Sequence, residues 1–334
     1  MKIKWPAILG ILIGLGLAVG LIASNDVGKI ADLVVSAEWG LALVVALRLP
    51  QTAASAVGWR ILVDHPGGPT FPVYFLLRWI REGVNALLPV AGVGGDMVRA
   101  RLLALRGISL KTSAAASAVD LSLEMASQIV FSIIGVAVLV FLQPGVSASG
   151  FIVGVIVFGG VTAGSFMVAQ RYGLFKLVER LLVKVSSREG WEGLGDITGL
   201  NEAVVAIYHD PKRLWTSGAW HLASWIFGVF EIWAALHILG VEASLAEALV
   251  IESLGQAVRG LGFAIPGALG VQEGGFVLVC GLFGIPAEQA LALSLVRRIR
   301  DLAHGVPALV VWHRIEGRMF ARRAAAAQAP KDGG

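Results

Sequence analysis

Charged side chains interrupt the most apolar stretches of this chain, and they are the groups with chemistry to offer. Arg48 and Arg60 lie in one stretch, Arg78, Arg81 and Glu82 in the next, and Asp120 and Glu124 in a third. The second half repeats the habit with Glu231, then Glu252, Arg259 and Glu273, then Arg297, Arg298, Arg300 and Asp301. A charge at the centre of a bilayer costs about 2.5–3.5 kcal/mol on insertion scales, so each needs a partner, a watery cavity or a ligand. The signs nearly balance, which points to internal pairs. Two readings stand for any single residue: a structural salt bridge that holds a bundle, or part of a solvated site for an ion or polar headgroup.

Helical spacing sorts these groups into stripes. Ser113, Ser117, Asp120, Glu124 and Gln128 follow steps of three and four, as do Ser217, His221, Ser224, Gly228 and Glu231. Arg297, Asp301 and His304 form a third stripe, and Glu252, Gln256 and Arg259 a fourth. Four polar faces on four elements converge on one cavity, where Asp120, Glu124 or His304 could serve proton coupling. Other chemistry lacks its motifs. The sequence has neither GxxxxGK[ST] nor HExxH, and Val93 replaces the first glycine of the GxGD pattern that Gly94, Gly95 and Asp96 would complete. The expectation is no catalytic residues, no metal and no cofactor.

The elements that position these charges are membrane helices. Hydrophobic residues make up 56% of the chain and charged ones 15%, against roughly 25% charged in a soluble domain. Mean hydropathy is +0.77, which excludes a disordered chain and leaves too little polar surface for a soluble one. The net charge of +4 reflects topology rather than nucleic-acid binding, and the one cysteine, Cys280, rules out a disulfide framework. Stretches of the length a bilayer requires run over Pro6–Ala23, Leu41–Val63, Thr112–Leu142, Phe151–Gln170, Leu214–Leu239 and Glu288–Trp312. Between spans, alternate loops and the two ends hold eighteen lysines and arginines, whereas the opposite loops hold only Lys29. That bias places both termini in the cytoplasm. Segment 171–213 is amphipathic and is expected to lie on the cytoplasmic membrane surface, and 313–334 is a basic cytoplasmic tail.

Two further apolar segments break at a proline in a glycine-rich turn: Pro89 with Gly94 and Gly95, and Pro266 with Gly267 and Gly270. Their returning arms are too short to span, so each reads as a re-entrant hairpin, 71–106 and 245–284. A shift of 177 residues places Pro89 on Pro266, Gly83 on Gly260, Ala91 on Ala268, Leu77 on Leu254 and Val73 on Val250. Asp96 falls on Glu273 and Glu82 on Arg259. The flanking spans run in opposite senses, so 38–142 and 214–312 form an inverted repeat, the architecture of secondary transporters. The expected fold is one all-α membrane domain with six spanning helices and two re-entrant hairpins.

The run Arg78-Trp-Ile-Arg-Glu-Gly-Val-Asn-Ala-Leu-Leu-Pro89, then Gly94-Gly95-Asp96 and Arg99-Ala-Arg-Leu-Leu103, resembles the flippase-like family named after lysylphosphatidylglycerol synthase. Pro266-Gly-Ala-Leu-Gly-Val-Gln-Glu273 resembles it too, and the likeness covers essentially the whole chain. Glu252 to Arg259 and Leu293 to Asp301 look most like its hopanoid-biosynthesis-associated branch, HpnL. Only the membrane part of the synthase is matched, so the resemblance implies no aminoacyl transfer. It implies a transporter in the bacterial inner membrane that moves a polar-headed lipid, hopanoid or phospholipid, between leaflets. The matching positions are Arg78, Glu82, Asn85, Pro89, Asp96, Arg99, Arg259, Pro266, Glu273, Arg297 and Asp301. Together with Asp120, Glu124 and Arg300 the charged and amide residues among these form the expected substrate site. Arg259, Arg297 and Arg300 are expected to hold the headgroup, with Glu82, Asp96, Asp120 and Glu273 pairing them when it is absent. Two other readings stay open: a scaffold for hopanoid-synthesising enzymes, or an enzyme that modifies a lipid headgroup.

Overall fold

The computed structural model describes residues 5–88, 94–145, 150, 154, 159, 199–261, 265 and 268–328. Pro89, Pro266, Gly267, most of the expected span 151–170 and most of segment 171–213 lie outside them. The described residues form eleven helices. These are α1 (Trp5–Ala23), α2 (Val27–Ser36), α3 (Gly40–Val63), α4 (Phe71–Leu87), α5 (Gly94–Ala104) and α6 (Leu110–Leu142). Then come α7 (Leu200–Tyr208), α8 (Pro211–Ile238), α9 (Leu245–Leu261), α10 (Val271–Gly281) and α11 (Ala287–Gln328).

Local chemistry sets several boundaries. Asp26, Ser109 and Asp210 each accept a bond from a backbone N–H three residues on, which starts α2, α6 and α8. Pro211 adds a preset φ at the first position of α8. Ser244 and Glu247 cap each other ahead of α9. Gly270 holds φ at +76°, which a β-carbon would oppose, and its N–H is taken by the Glu273 carboxylate at 2.7 Å, opening α10.

Two elements differ from the sequence reading. The stretch between the first two expected spans is not simply a loop: α2 fills it and packs against α11, burying Ile30. The last helix does not end near Trp312 but continues to Gln328, where the alanine-rich run favours helix.

Among the described residues, three helices are long and apolar enough to cross a membrane: α3, α6 and α8. Large apolar side chains point outward, among them Phe141, Leu278, Ile133 and Leu302, as expected where the solvent is lipid. Packing therefore rests on close backbone approach rather than on expulsion of water. A β-carbon at Gly83 would stand 2.9 Å from that of Ala308, and one at Gly305 would strike Leu87, so α4 and α11 meet through small residues.

The helices pack as two related sets. In the first, α3 packs on α4, α4 on α5, and α5 on α6; in the second, α8 packs on α9, α9 on α10, and α10 on α11. The sets join along α3 and α8, and through two matching contacts, α4 on α11 and α9 on α6. One apolar core gathers Trp59, Leu62, Leu77, Ile80, Leu103 and Val119; the other gathers Ile232, Leu236, Ile251, Leu254, Phe276 and Val279. Polar groups occupy the region between.

Candidate functional site

In the first set the charges close on one another. Arg78 of α4 reaches Glu82 at 3.0 Å on its own helix and Asp120 (3.2 Å) and Glu124 (2.8 Å) on α6. Arg81 pairs with Asp96 at 3.2 Å and Glu124 at 2.9 Å. Arg99, from α5, pairs with Asp96 at 2.6 Å and Asp120 at 2.7 Å, and its guanidinium lies 4.6 Å above the Trp59 ring. Arg48 of α3 completes the group by pairing with Glu82 at 3.3 Å. Four arginines thus face four carboxylates.

The second set builds the same balance from different positions. Arg297 grips Glu252 with both terminal nitrogens, at 2.7 and 2.9 Å, and stands 3.5 Å from Glu231. Arg300 pairs with Glu231 and with Asp301, the latter at 2.6 Å. Arg298 pairs with Glu273 at 2.7 Å. Arg259 has the loosest pair, 3.9 Å from Asp301, and keeps 28% of its side chain accessible. Again four arginines meet four carboxylates.

This arrangement corrects the expected pairing. Glu82, Asp96 and Asp120 do not neutralise Arg259, Arg297 or Arg300; each serves arginines of its own set. Glu273 serves Arg298, a neighbour of the expected partners. The reason is reach: an arginine on one helix finds carboxylates on the helices it already packs against, at the short bidentate distances that compensate desolvation. Between the sets, the deep contacts are hydrogen bonds of serine, glutamine and histidine rather than arginine–carboxylate pairs. Ser55 donates to Ser224 (2.8 Å), Ser224 to the Gln51 carbonyl (3.0 Å), Gln128 to the Gln256 carbonyl (2.9 Å) and His304 to the Val45 carbonyl (2.7 Å). His221 contacts Asp120 at 2.8 Å. Arg213 with Asp64, and Arg101 with Glu316, cross between the sets nearer the helix ends.

A cavity of about 330 Å³ lies where the two sets meet, walled by α3, α4, α6, α8, α9 and α11. Of the residues expected from sequence, Arg78, Glu82, Asn85, Glu124, Arg259, Arg300 and Asp301 line it. Asp96, Asp120, Glu273 and Arg297 stand behind the wall, 6% exposed or less: Asp120 and Asp96 hold the lining Arg78 and Arg81, Glu273 caps the start of α10, and Arg297 pairs with Glu252 and Glu231. Asn85 also accepts the Gly95 N–H at 2.8 Å, tying the end of α4 to the beginning of α5. Gly94 and Gly95 open α5; at Gly95 a side chain would collide with the Arg81 carbonyl and with Asn85.

Sequence reasoning left Arg48, Gln51, Ser55, Arg81 and His221 out of the expected site, yet all five face the cavity. All five carried a legible signal: His221 lies on the α8 stripe and Arg81 among the charges of an apolar stretch, both noted above, and the other three form a stripe of their own. Arg48, Gln51 and Ser55 continue to Gly58 by helical steps, a polar stripe on α3 that matches the one on α8.

The match to the family described as lysylphosphatidylglycerol synthase TM region runs over residues 7–307. A UPF0104 membrane protein of Methanothermobacter thermautotrophicus is 26% identical over 261 residues, covering 72% of this chain and 73% of the relative. No solved structure matches the chain. The chain belongs to the lysylphosphatidylglycerol synthase TM region family and is a membrane protein.

Proposed function

We propose that this member of the family carries a polar-headed lipid between the leaflets of the plasma membrane, holding an anionic or hydroxyl-rich headgroup at Arg259. The observation that carries this reading is the central cavity. It combines a charged lining with a guanidinium whose carboxylate partner is 3.9 Å away, so an incoming oxyanion can make the short bonds that Asp301 does not. At about 330 Å³ the space is at the small end of ligand pockets, enough for a headgroup while acyl chains stay in lipid. The remaining ten hydrogen-bonded or paired cavity and wall residues of the expected site position that headgroup.

The topology we propose is six spans and two re-entrant hairpins, α4 with α5 and α9 with α10, in an inverted repeat with both termini cytoplasmic. The matched packing of α3–α6 and α8–α11 supports it, as does the lysine and arginine bias. The lipid crosses without covalent change, and no cofactor takes part. Phospholipids and hopanoids both present chemistry that suits the cavity.

The test is leaflet exchange in liposomes containing the purified protein, with labelled phosphatidylglycerol, phosphatidylethanolamine and a hopanoid, beside Arg259→Ala. Headgroup-selective exchange that falls at least tenfold in the variant is expected. No exchange of any lipid from folded protein overturns transport. A chemically altered lipid in the extract would instead indicate an enzyme, and stable co-purification with lipid-synthesising proteins a scaffold.

A further inference from the structure

Beneath the cavity, where the end of α3 meets the starts of α6 and α8, the protein buries polar atoms it does not satisfy. The hydroxyls of Ser113, Ser117 and Ser217 and the Trp59 indole nitrogen are buried and have no protein partner. Ser113 and Ser117 stand on the same face of α6 as Asp120, toward its N-terminal end, and Ser217 stands one turn before His221 on α8. The end of α3 and the start of α8 are joined by Arg213, which donates to the Ile61 carbonyl at 3.3 Å and to the Leu62 carbonyl. The helix α6 is brought in by Arg99, which lies over the Trp59 ring and donates to the Ser117 carbonyl at 3.3 Å. An unsatisfied buried polar group costs about 1–3 kcal/mol. Four clustered on three helix ends make a site for ordered water, which needs two to four polar partners.

That polar strip ends at the His221–Asp120 pair. Asp120 Oδ2 is held by Arg78 at 3.2 Å and Arg99 at 2.7 Å, and Oδ1 by His221 Nε2 at 2.8 Å. A carboxylate so held can only accept, so Nε2 carries its hydrogen and Nδ1 is the nitrogen left to gain or lose a proton. Imidazole is the side chain that ordinarily changes charge between pH 5 and 8. His221 also lines the cavity.

We infer that His221 is a proton-binding site that couples proton movement to headgroup movement, supplied from the α6/α8 end through the Ser113, Ser117 and Ser217 strip. The inference rests on the transport reading above. Asp120 of α6 touches the ring, and Asp120 and its neighbour Glu124 are in turn held by Arg78 and Arg81 from α4 and Arg99 from α5. Next to the ring, α3 contributes the uncharged Gly58. The other cavity walls add Arg48, Glu82, Arg259, Arg300, Asp301 and His304. Each set is charge-balanced while His221 is neutral, so protonation adds one positive charge to the wall. A singly anionic headgroup restores the balance, and proton and lipid bind together. By linkage each raises affinity for the other to the same degree.

Two measurements decide it. In nanodiscs, ¹⁵N-histidine NMR of the full chain, with the His221 signal assigned by its loss in His221→Gln, is expected to show the ring gaining a proton across the pH range in which exchange is measured. A ring that stays neutral across that range overturns the proposal. In liposomes, phosphatidylglycerol exchange is expected to rise at least fivefold when a pH gradient supplies protons from the α6/α8 face. His221→Gln keeps a hydrogen-bond donor facing Asp120 but cannot take up a proton, so its exchange should ignore the gradient, while His237→Gln, exposed and outside the cavity, still responds. Ser117→Ala with Ser217→Ala should slow the response. Exchange in the unaltered protein that ignores the gradient overturns the coupling and leaves transport standing. If no lipid exchanges, transport falls, and the NMR titration still decides the proton site.

Discussion

Replacing Glu252 by Gln tests the claim that the buried charges of the second set are closed pairs. Glu252 is fully buried and accepts 2.7 and 2.9 Å bonds from Arg297, plus 2.9 Å from Gln256. Arg297 is 1% exposed, and its other carboxylate neighbour, Glu231 at 3.5 Å, is already engaged by Arg300. Removing one member of a buried pair costs about 3–5 kcal/mol because the other charge is left uncompensated. The amide keeps the volume and can still accept one bond, returning about 1 kcal/mol, so the expected loss is about 3 kcal/mol. That is about two orders of magnitude in the folding equilibrium. Unfolding by denaturing detergent, followed by circular dichroism, measures it. The double variant Glu252→Gln, Arg297→Met removes the orphaned charge and should recover at least half of the loss. Equal losses in the single and double variants would refute the reasoning, since the cost would then lie in packing and not in an unpaired guanidinium.

Three further outcomes follow from the same geometry. Arg259→Ala should change stability by less than about 1 kcal/mol, as an ion pair 3.9 Å long and partly exposed contributes little, so its loss of lipid exchange reports on function. Gly83→Val pushes a side chain against Ala308 and the Gly305 carbonyl; overpacking there should cost about 1–3 kcal/mol, read as a lower melting temperature in detergent. Asn85→Ala removes the 2.8 Å bond to the Gly95 N–H. Faster amide hydrogen exchange at the start of α5 and a loss of about 1 kcal/mol are expected.

Most of the helices were legible because composition and periodicity are local properties. The stripes on α6 and α8 and the breaks after α4 and α9 could all be read from one strand of text. Partner choice was not, because it depends on which helices touch. Nothing in spacing says that Asp96 serves Arg81 and Arg99, or that Glu273 chooses Arg298 over Arg297. The helix α2 was missed for a different reason: Asp26 caps it and Ile30 buries it, but its ten residues are too few for a membrane signal. The depth of Arg297, behind the cavity wall, was equally hidden, since a stripe gives direction around a helix but not distance from the centre.

The closure of ion pairs within each set also bears on how the chain is made. Synthesis delivers the amino-terminal part first, and parts that can fold do so before the rest arrives. The deep arginines and carboxylates between residues 48 and 124 find one another there, and those between 231 and 301 likewise. A half-finished chain leaving the insertion machinery therefore need not hold bare charges in lipid while it waits for distant partners. What the second half adds to the first is a wall for the cavity, a set of hydrogen bonds, the His221 contact to Asp120 and two ion pairs nearer the helix ends, all of which can wait.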